Sequence, residues 1–184
     1  MKRIWIVTLS LVLLGACSSD ASPSSFVLQQ LDRKASRQAG PKTLLTTGKA
    51  PNGLPYVLDV YRIDDGRICI EHAWQFANGY NALGTCPDNP IRKTFHNIST
   101  YPGHDDSPRD ETPWVMGLVV DAGKAVTLRG TRGARTQEFA LIRSDAYPGL
   151  AFYIGRTEIA ELFETVQLLD ADDRVIASAP FVQA

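Results

Sequence analysis

The chain reads as a mainly β protein: an antiparallel β-sandwich or open barrel with one long loop and little helix. Three observations predict this. From residue 42 onward, short apolar runs alternate with Gly, Pro, Asn and Asp at a spacing of roughly 8–15 residues. Asp65-Gly66 sits between two apolar runs, which is a strong local hairpin signal. The runs are too short for helices and too rich in Val, Ile, Tyr and Thr to favour them.

Taken in order, 54–63 (Leu-Pro-Tyr-Val-Leu-Asp-Val-Tyr-Arg-Ile) is the first strand and 67–74 the second, joined through Asp64-Asp65-Gly66. Alternation places Ile68, Ile70, His72 and Trp74 on one face of the second strand, and Cys69, Glu71 and Ala73 on the other. Residues 75–113 carry Asn78-Gly79, Gly84, five prolines and few apolar runs, so they read as one long loop with a short strand at 93–98. Strands follow at 114–120, 125–129, 138–142, 151–154 and 165–169. A last hairpin turns at Asp170-Ala171-Asp172-Asp173 into 174–177. Residues 157–162 suit one helical turn capped by Thr157.

The N-terminus sets the domain organisation. Met1-Lys2-Arg3 precedes an apolar run from Ile4 to Leu14, broken only by Thr8 and Ser10. A basic head and a run of this length is the pattern of a secretory signal peptide, too short for a permanent span of roughly 20 residues. Leu14-Gly15-Ala16-Cys17 then resembles the lipobox of bacterial lipoproteins. That resemblance implies cleavage before Cys17 and diacylglycerol on its thiol. The expected division is a signal peptide over 1–16, a lipidated tether over 17–41, in which Phe26, Val27, Leu28 and Leu31 suit one or two weak helical turns, and a single β domain over 42–184. A flexible tether of that length reaches roughly 27 Å. Ser18 after the Cys favours an outer membrane where the cell has one. Otherwise the anchor lies on the outer face of the cell membrane.

Cleavage deletes Lys2 and Arg3 and no acid, moving the formal net charge of −1 two units more negative. That balance argues against nucleic acid as a partner. With Cys17 lipidated, Cys69 and Cys86 remain, and an even pair in an oxidising compartment reads as a disulfide stabilising by about 3 kcal/mol. The rival reading, a catalytic or metal thiolate, has no CxxC or HxxxH company.

The body is similar to small secreted lipoproteins of Gram-positive actinobacteria. The resembling pieces are Asp65-Gly66-Arg67-Ile68-Cys69-Ile70 with Gly84-Thr85-Cys86, Met116-Gly117-Leu118-Val119-Val120-Asp121 before Lys124-Ala125-Val126-Thr127-Leu128, and Leu169-Asp170-Ala171-Asp172-Asp173-Arg174-Val175. The resemblance implies a β fold with a Cys69–Cys86 bridge and implies no activity.

Five features could carry chemistry. The acidic loop 104–111 and the trio Asp170, Asp172 and Asp173 offer hard oxygens to a cation, but neither has EF-hand spacing, and no metal or cofactor is expected. Arg129, Arg132 and Arg135, interleaved with glycines, form a cationic hairpin tip suited to anionic partners. Trp74, Phe76, Tyr80 and Tyr101 surround the disulfide loop, as a plug if buried or a glycan or peptide contact if exposed. Arg129, Arg132, Arg135, Trp74 and Tyr80 are the candidate contact surface. His72 beside apolar residues reads as packed and hydrogen-bonded, and no residue is assigned a catalytic role, since HExxH, GxSxG and SxxK are all absent. The expected function is a membrane-anchored extracytoplasmic binding or scaffolding module of the cell envelope, with an envelope protein or glycan as partner. The alternatives are a small envelope hydrolase pairing His72 with Glu71 or Asp59, and a ligand-capturing lipoprotein.

Overall fold

A computed structural model describes residues 24–50, 53–76, 79–87, 95–100, 114–157 and 163–181. The described residues hold one helix, α1 (Ser25–Asp32), and twelve strands: β1 (Thr43–Lys49), β2 (Pro55–Arg62), β3 (Ile68–Phe76), β4 (Gly79–Thr85), β5 (Phe95–Thr100), β6 (Trp114–Val120), β7 (Thr127–Arg132), β8 (Arg135–Ala140), β9 (Ile142–Arg143), β10 (Leu150–Arg156), β11 (Thr165–Leu169) and β12 (Val175–Pro180). They form three antiparallel sheets of order β1-β2-β3-β4, β5-β6-β10-β9 and β12-β11-β7-β8. The sheets pack face to face and do not close on one another, so of the two predicted architectures the sandwich is the one formed.

The second sheet is the middle layer, and its sequence shows why. Trp114 to Val119 in β6 are all buried, as are Leu150 to Tyr153 in β10. Burial on both faces demands an unbroken apolar run in place of alternation. Met116, Leu118, Leu150 and Phe152 pack against Leu58, Val60 and Ile70 of the first sheet. Val115, Val119, Ala151 and Tyr153 pack against Leu128, Phe139, Val166 and Leu168 of the third.

Two glycines make the second contact close. A Cβ on Gly155 would lie 2.5 Å from Cδ1 of buried Phe139, and one on Gly130 would lie 2.5 Å from Cγ of buried Phe163. Each ring rests on bare backbone. Gly155→Ala is therefore expected to cost about 1–3 kcal/mol by overpacking. The check is the urea midpoint at unchanged m, and an unaltered midpoint would remove this account of the interface.

The outer face of the first sheet is covered by α1. Ser24 Oγ accepts a hydrogen bond from the Val27 N–H, capping the helix. Phe26 and Val27 then pack with Leu31 on Val57, Ala73, Leu44 and Ala82. Burying the first two contributes roughly 1.5–3 kcal/mol each. Downstream, Gln38 bridges to Ile63, and the Ala39 N–H donates to Arg62 O at 2.9 Å. Residues 24–40 thus belong to the folded domain, which corrects the expectation of a tether reaching residue 41.

The expected loop over 75–113 is also corrected. β4 pairs with β3 along its whole length, from Ile70↔Thr85 to Phe76↔Gly79. The next step of that ladder is Cys69 and Cys86, which are disulfide-bonded with Cα atoms 4.1 Å apart. β5 includes part of the predicted 93–98 strand. The predicted turn at 157–162 lies, beyond Thr157, outside the described residues.

Candidate functional site

The β2–β3 hairpin sorts its side chains onto two faces, and each face carries a different polar arrangement. At the turn, the Gly66 N–H donates to Ile63 O at 2.9 Å, with Gly66 left-handed at φ 86°. The resulting register sets Val57 opposite Ala73, Asp59 opposite Glu71 and Tyr61 opposite Cys69. Those six share the face beneath α1. Tyr56, Leu58, His72 and Trp74 share the face that meets the middle layer.

Under α1 lies a buried charge cluster. The Lys42 side chain has no solvent exposure, and its Nζ donates to Glu71 Oε1 at 2.6 Å and Asp59 Oδ2 at 3.3 Å. Arg33, just past α1, donates to the same Glu71 oxygen from the partly exposed side. The Tyr61 ring covers Lys42 Nζ at 5.4 Å from its centroid. Asp59 is fully buried and its Oδ1 has no hydrogen-bond partner among the described residues. Burial pushes the Asp59 carboxyl up to about 7 against the opposing pull of Lys42, and pushes the Tyr61 phenol up to about 12.

On the opposite face His72 is fully buried among aromatic rings. Its ring centroid lies 4.6 Å from that of Trp114, 4.9 Å from Trp74 and 5.5 Å from Tyr56. Neither ring nitrogen has a hydrogen-bond partner among the described residues, and burial pushes the imidazole down to about 3. The sheet itself separates His72 from Asp59 and Glu71, so the His–carboxylate pair that a hydrolase reading would use is not assembled. His72 was expected to be packed and hydrogen-bonded; it is packed, and its ring nitrogens have no hydrogen-bond partner among the described residues.

The candidate contact residues are not one surface. Trp74 is only 4 % exposed and faces the middle layer, whereas Tyr80 is 42 % exposed on the α1 face under the Arg33 guanidinium. Trp74 is therefore core, a correction to its place among contact residues. The side chain of Phe76, and Tyr101, lie outside the described residues. Arg129 is engaged across the strands, its Nη2 at 2.6 Å from Glu138 Oε1 and its Nε at 2.8 Å. Arg132 and Arg135 pair at the end of the β7–β8 ladder, around Gly133 at φ 55°. Alternation puts them on the face opposite Arg129, so they share the hairpin tip without it.

Asp170 serves its turn. Its Oδ1 accepts from the N–H groups of Asp172 and Arg174, both at 3.0 Å, and these with Lys124 hold its carboxyl below the ordinary range. No group of three or more metal-ligating side chains is found among the described residues, and the acidic loop 104–111 lies outside them.

Comparison with protein-family models, with curated proteins and with solved structures finds no match in any of the three.

Sequence reading missed the cluster as a unit. Its members are single charges spread over Arg33, Lys42, Asp59 and Glu71. One signal was available: Asp59 and Glu71 each interrupt an otherwise apolar strand on the face shared with Val57 and Ala73, where a solvated residue is out of place.

Proposed function

We propose that the chain is a lipid-anchored extracytoplasmic lipoprotein whose β domain is a binding or scaffolding module of the cell envelope. The observation that best supports this reading is the Cys69–Cys86 disulfide, set in the β3–β4 ladder and suited to an oxidising compartment. It agrees with the lipobox-like Leu14-Gly15-Ala16-Cys17. Acyl chains on Cys17 add about 0.8 kcal/mol of membrane affinity per buried CH2. The helix cap at Ser24 follows Cys17 closely in sequence, so the chain between them spans at most about 25 Å. The domain therefore works close to its membrane, with an envelope protein or glycan as partner. The proposed contact groups are the Arg132–Arg135 tip, where Arg135 is exposed, and the Tyr80 side of the first sheet.

The anchor is tested by palmitate labelling and membrane fractionation of the full chain. The parent is expected in the membrane fraction and labelled, and Cys17→Ala uncut and unlabelled. A Cys17→Ala chain still cut at residue 17 and membrane-bound sinks the lipoprotein reading. Arg132→Ala with Arg135→Ala is expected to reduce capture of an envelope partner about tenfold, corresponding to about 1.4 kcal/mol. Undiminished capture would move the contact surface elsewhere.

A further inference from the structure

The charge cluster brings together the three groups that an amide condensation requires. We propose that Lys42 and Asp59 are joined by an intramolecular isopeptide bond, formed by the folded chain itself with Glu71 as proton carrier. The inference does not depend on where the domain is anchored.

The step balances without a co-reactant. The Lys42 Nζ lone pair attacks Asp59 Cγ, a new N–C bond forms, and one Cγ–O bond breaks. An ammonium has no free lone pair, so it must first yield a proton. Glu71 Oε1 lies 2.6 Å from Nζ and can take it. Glu71 also stands directly opposite Asp59 in the strand ladder, so it can return that proton to the departing oxygen. Both protons lost by nitrogen leave with one oxygen as water, and Glu71 ends as it began.

Proximity and burial both favour the product. The side chains are already held together, with Nζ hydrogen-bonded to Oδ2 at 3.3 Å and so beside Cγ, by a register that pairs Leu44 with Asp59 and places Lys42 two residues before. In bulk water an ammonium and a carboxylate are favoured over the amide because both ions are well solvated. Here neither side chain touches solvent, and removing ions from water costs several kcal/mol each. Condensation turns both into one neutral amide. It also removes one oxygen from a carboxyl whose Oδ1 has no partner among the described residues. A carboxyl raised by burial readily takes up the proton that Glu71 returns, and water leaves from the neutral acid so formed. Tyr61 and α1 lie over the site, limiting the return of water that would hydrolyse the bond.

Digestion of the reduced full chain with an arginine-specific protease tests this directly. Arg37 and Arg62 bound a peptide, 38–62, that contains both partners and no internal arginine. The expected peptide is lighter than its sequence by one water, and Lys42 in the denatured chain resists an amine-acylating reagent while Lys49 reacts. Lys42→Met is expected to give the unaltered sequence mass, and Asp59→Asn to lose one ammonia in place of one water. Glu71→Gln is expected to leave most of the peptide uncondensed, and full condensation in that variant would overturn the role given to Glu71. A parent peptide of full sequence mass overturns the proposal. So does a water-deficient peptide whose Lys42 still reacts, because that is the signature of a cyclic imide at Asp59.

Discussion

Lys42→Met is expected to lower the unfolding free energy by at least about 3–5 kcal/mol, because it leaves the Asp59 and Glu71 carboxylates buried without the ammonium or amide nitrogen that Lys42 supplies. Without Lys42, Asp59 and Glu71 face each other across the β2–β3 ladder, and the nearest cation is the partly exposed Arg33. The loss depends on pH with a definite sign. The Asp59 carboxyl is raised from its ordinary 3.8, chiefly by burial, and the Lys42 ammonium is the group that most strongly opposes the rise. A raised acid contributes stability that is fully present below its unfolded value and lost as pH rises through its folded value. The variant should therefore be nearest to the parent below pH 4 and furthest from it above neutrality. Converting the whole cluster to apolar residues, with Lys42→Met, Asp59→Leu and Glu71→Met together, is expected to restore most of the loss. Urea titrations followed by the fluorescence of buried Trp74 and Trp114 would measure both. A single-variant loss below about 1 kcal/mol would mean that the cluster does not hold the helix and sheet as described.

The second large effect lies across the sheet. His72→Phe is expected to make the domain more resistant to acid, by about 3 kcal/mol at pH 4 relative to the difference at pH 7. Burial lowers the folded imidazole from 6.5 to about 3, so between those values the unfolded chain binds a proton that the folded one refuses. Parent stability is full above 6.5 and declines as pH falls towards 3. Phenylalanine keeps the contacts with Trp74, Trp114 and Tyr56 and carries no proton. A free Asp59 works in the opposite direction over nearly the same window. It contributes to parent and variant alike, so their difference isolates His72. The absolute slope of the parent then becomes informative, because a parent that shows the full acid loss is one whose Asp59 does not titrate. Equal acid sensitivity of parent and His72→Phe would refute the buried, unpaired histidine.

The sheets were legible in the sequence where local signals and tertiary demand agree. The Asp64-Asp65-Gly66 turn, the two faces of β3 and the strand at 114–120 all formed as read. Agreement failed where a segment has weak propensity of its own. β4 reads Gly-Tyr-Asn-Ala-Leu-Gly-Thr, poor in strand formers, and is extended because it completes the edge of β3 and is pinned by Cys86. α1 is eight residues long, and an isolated helix of that size is unstable. It stands because Phe26 and Val27 find Val57 and Ala73, which no local window reveals. The site was less legible than the fold for a related reason. Charge pairing depends on register between strands, and the sequence shows Lys42, Asp59 and Glu71 as unrelated residues.

Strand order also sets the order of assembly. The first sheet is a simple meander, each strand bonded to its sequence neighbour, and the disulfide closes within it. The other two interleave, since β6 must wait for β10 and β7 for β11. Contacts close in sequence form fastest, and distant ones must first bear the entropy of closing long loops. The meander, with its cysteine bridge and its charge cluster, can thus be complete while the rest of the chain is still unpaired. It then offers the face bearing Leu58, Val60 and Ile70 as the template on which the middle layer condenses.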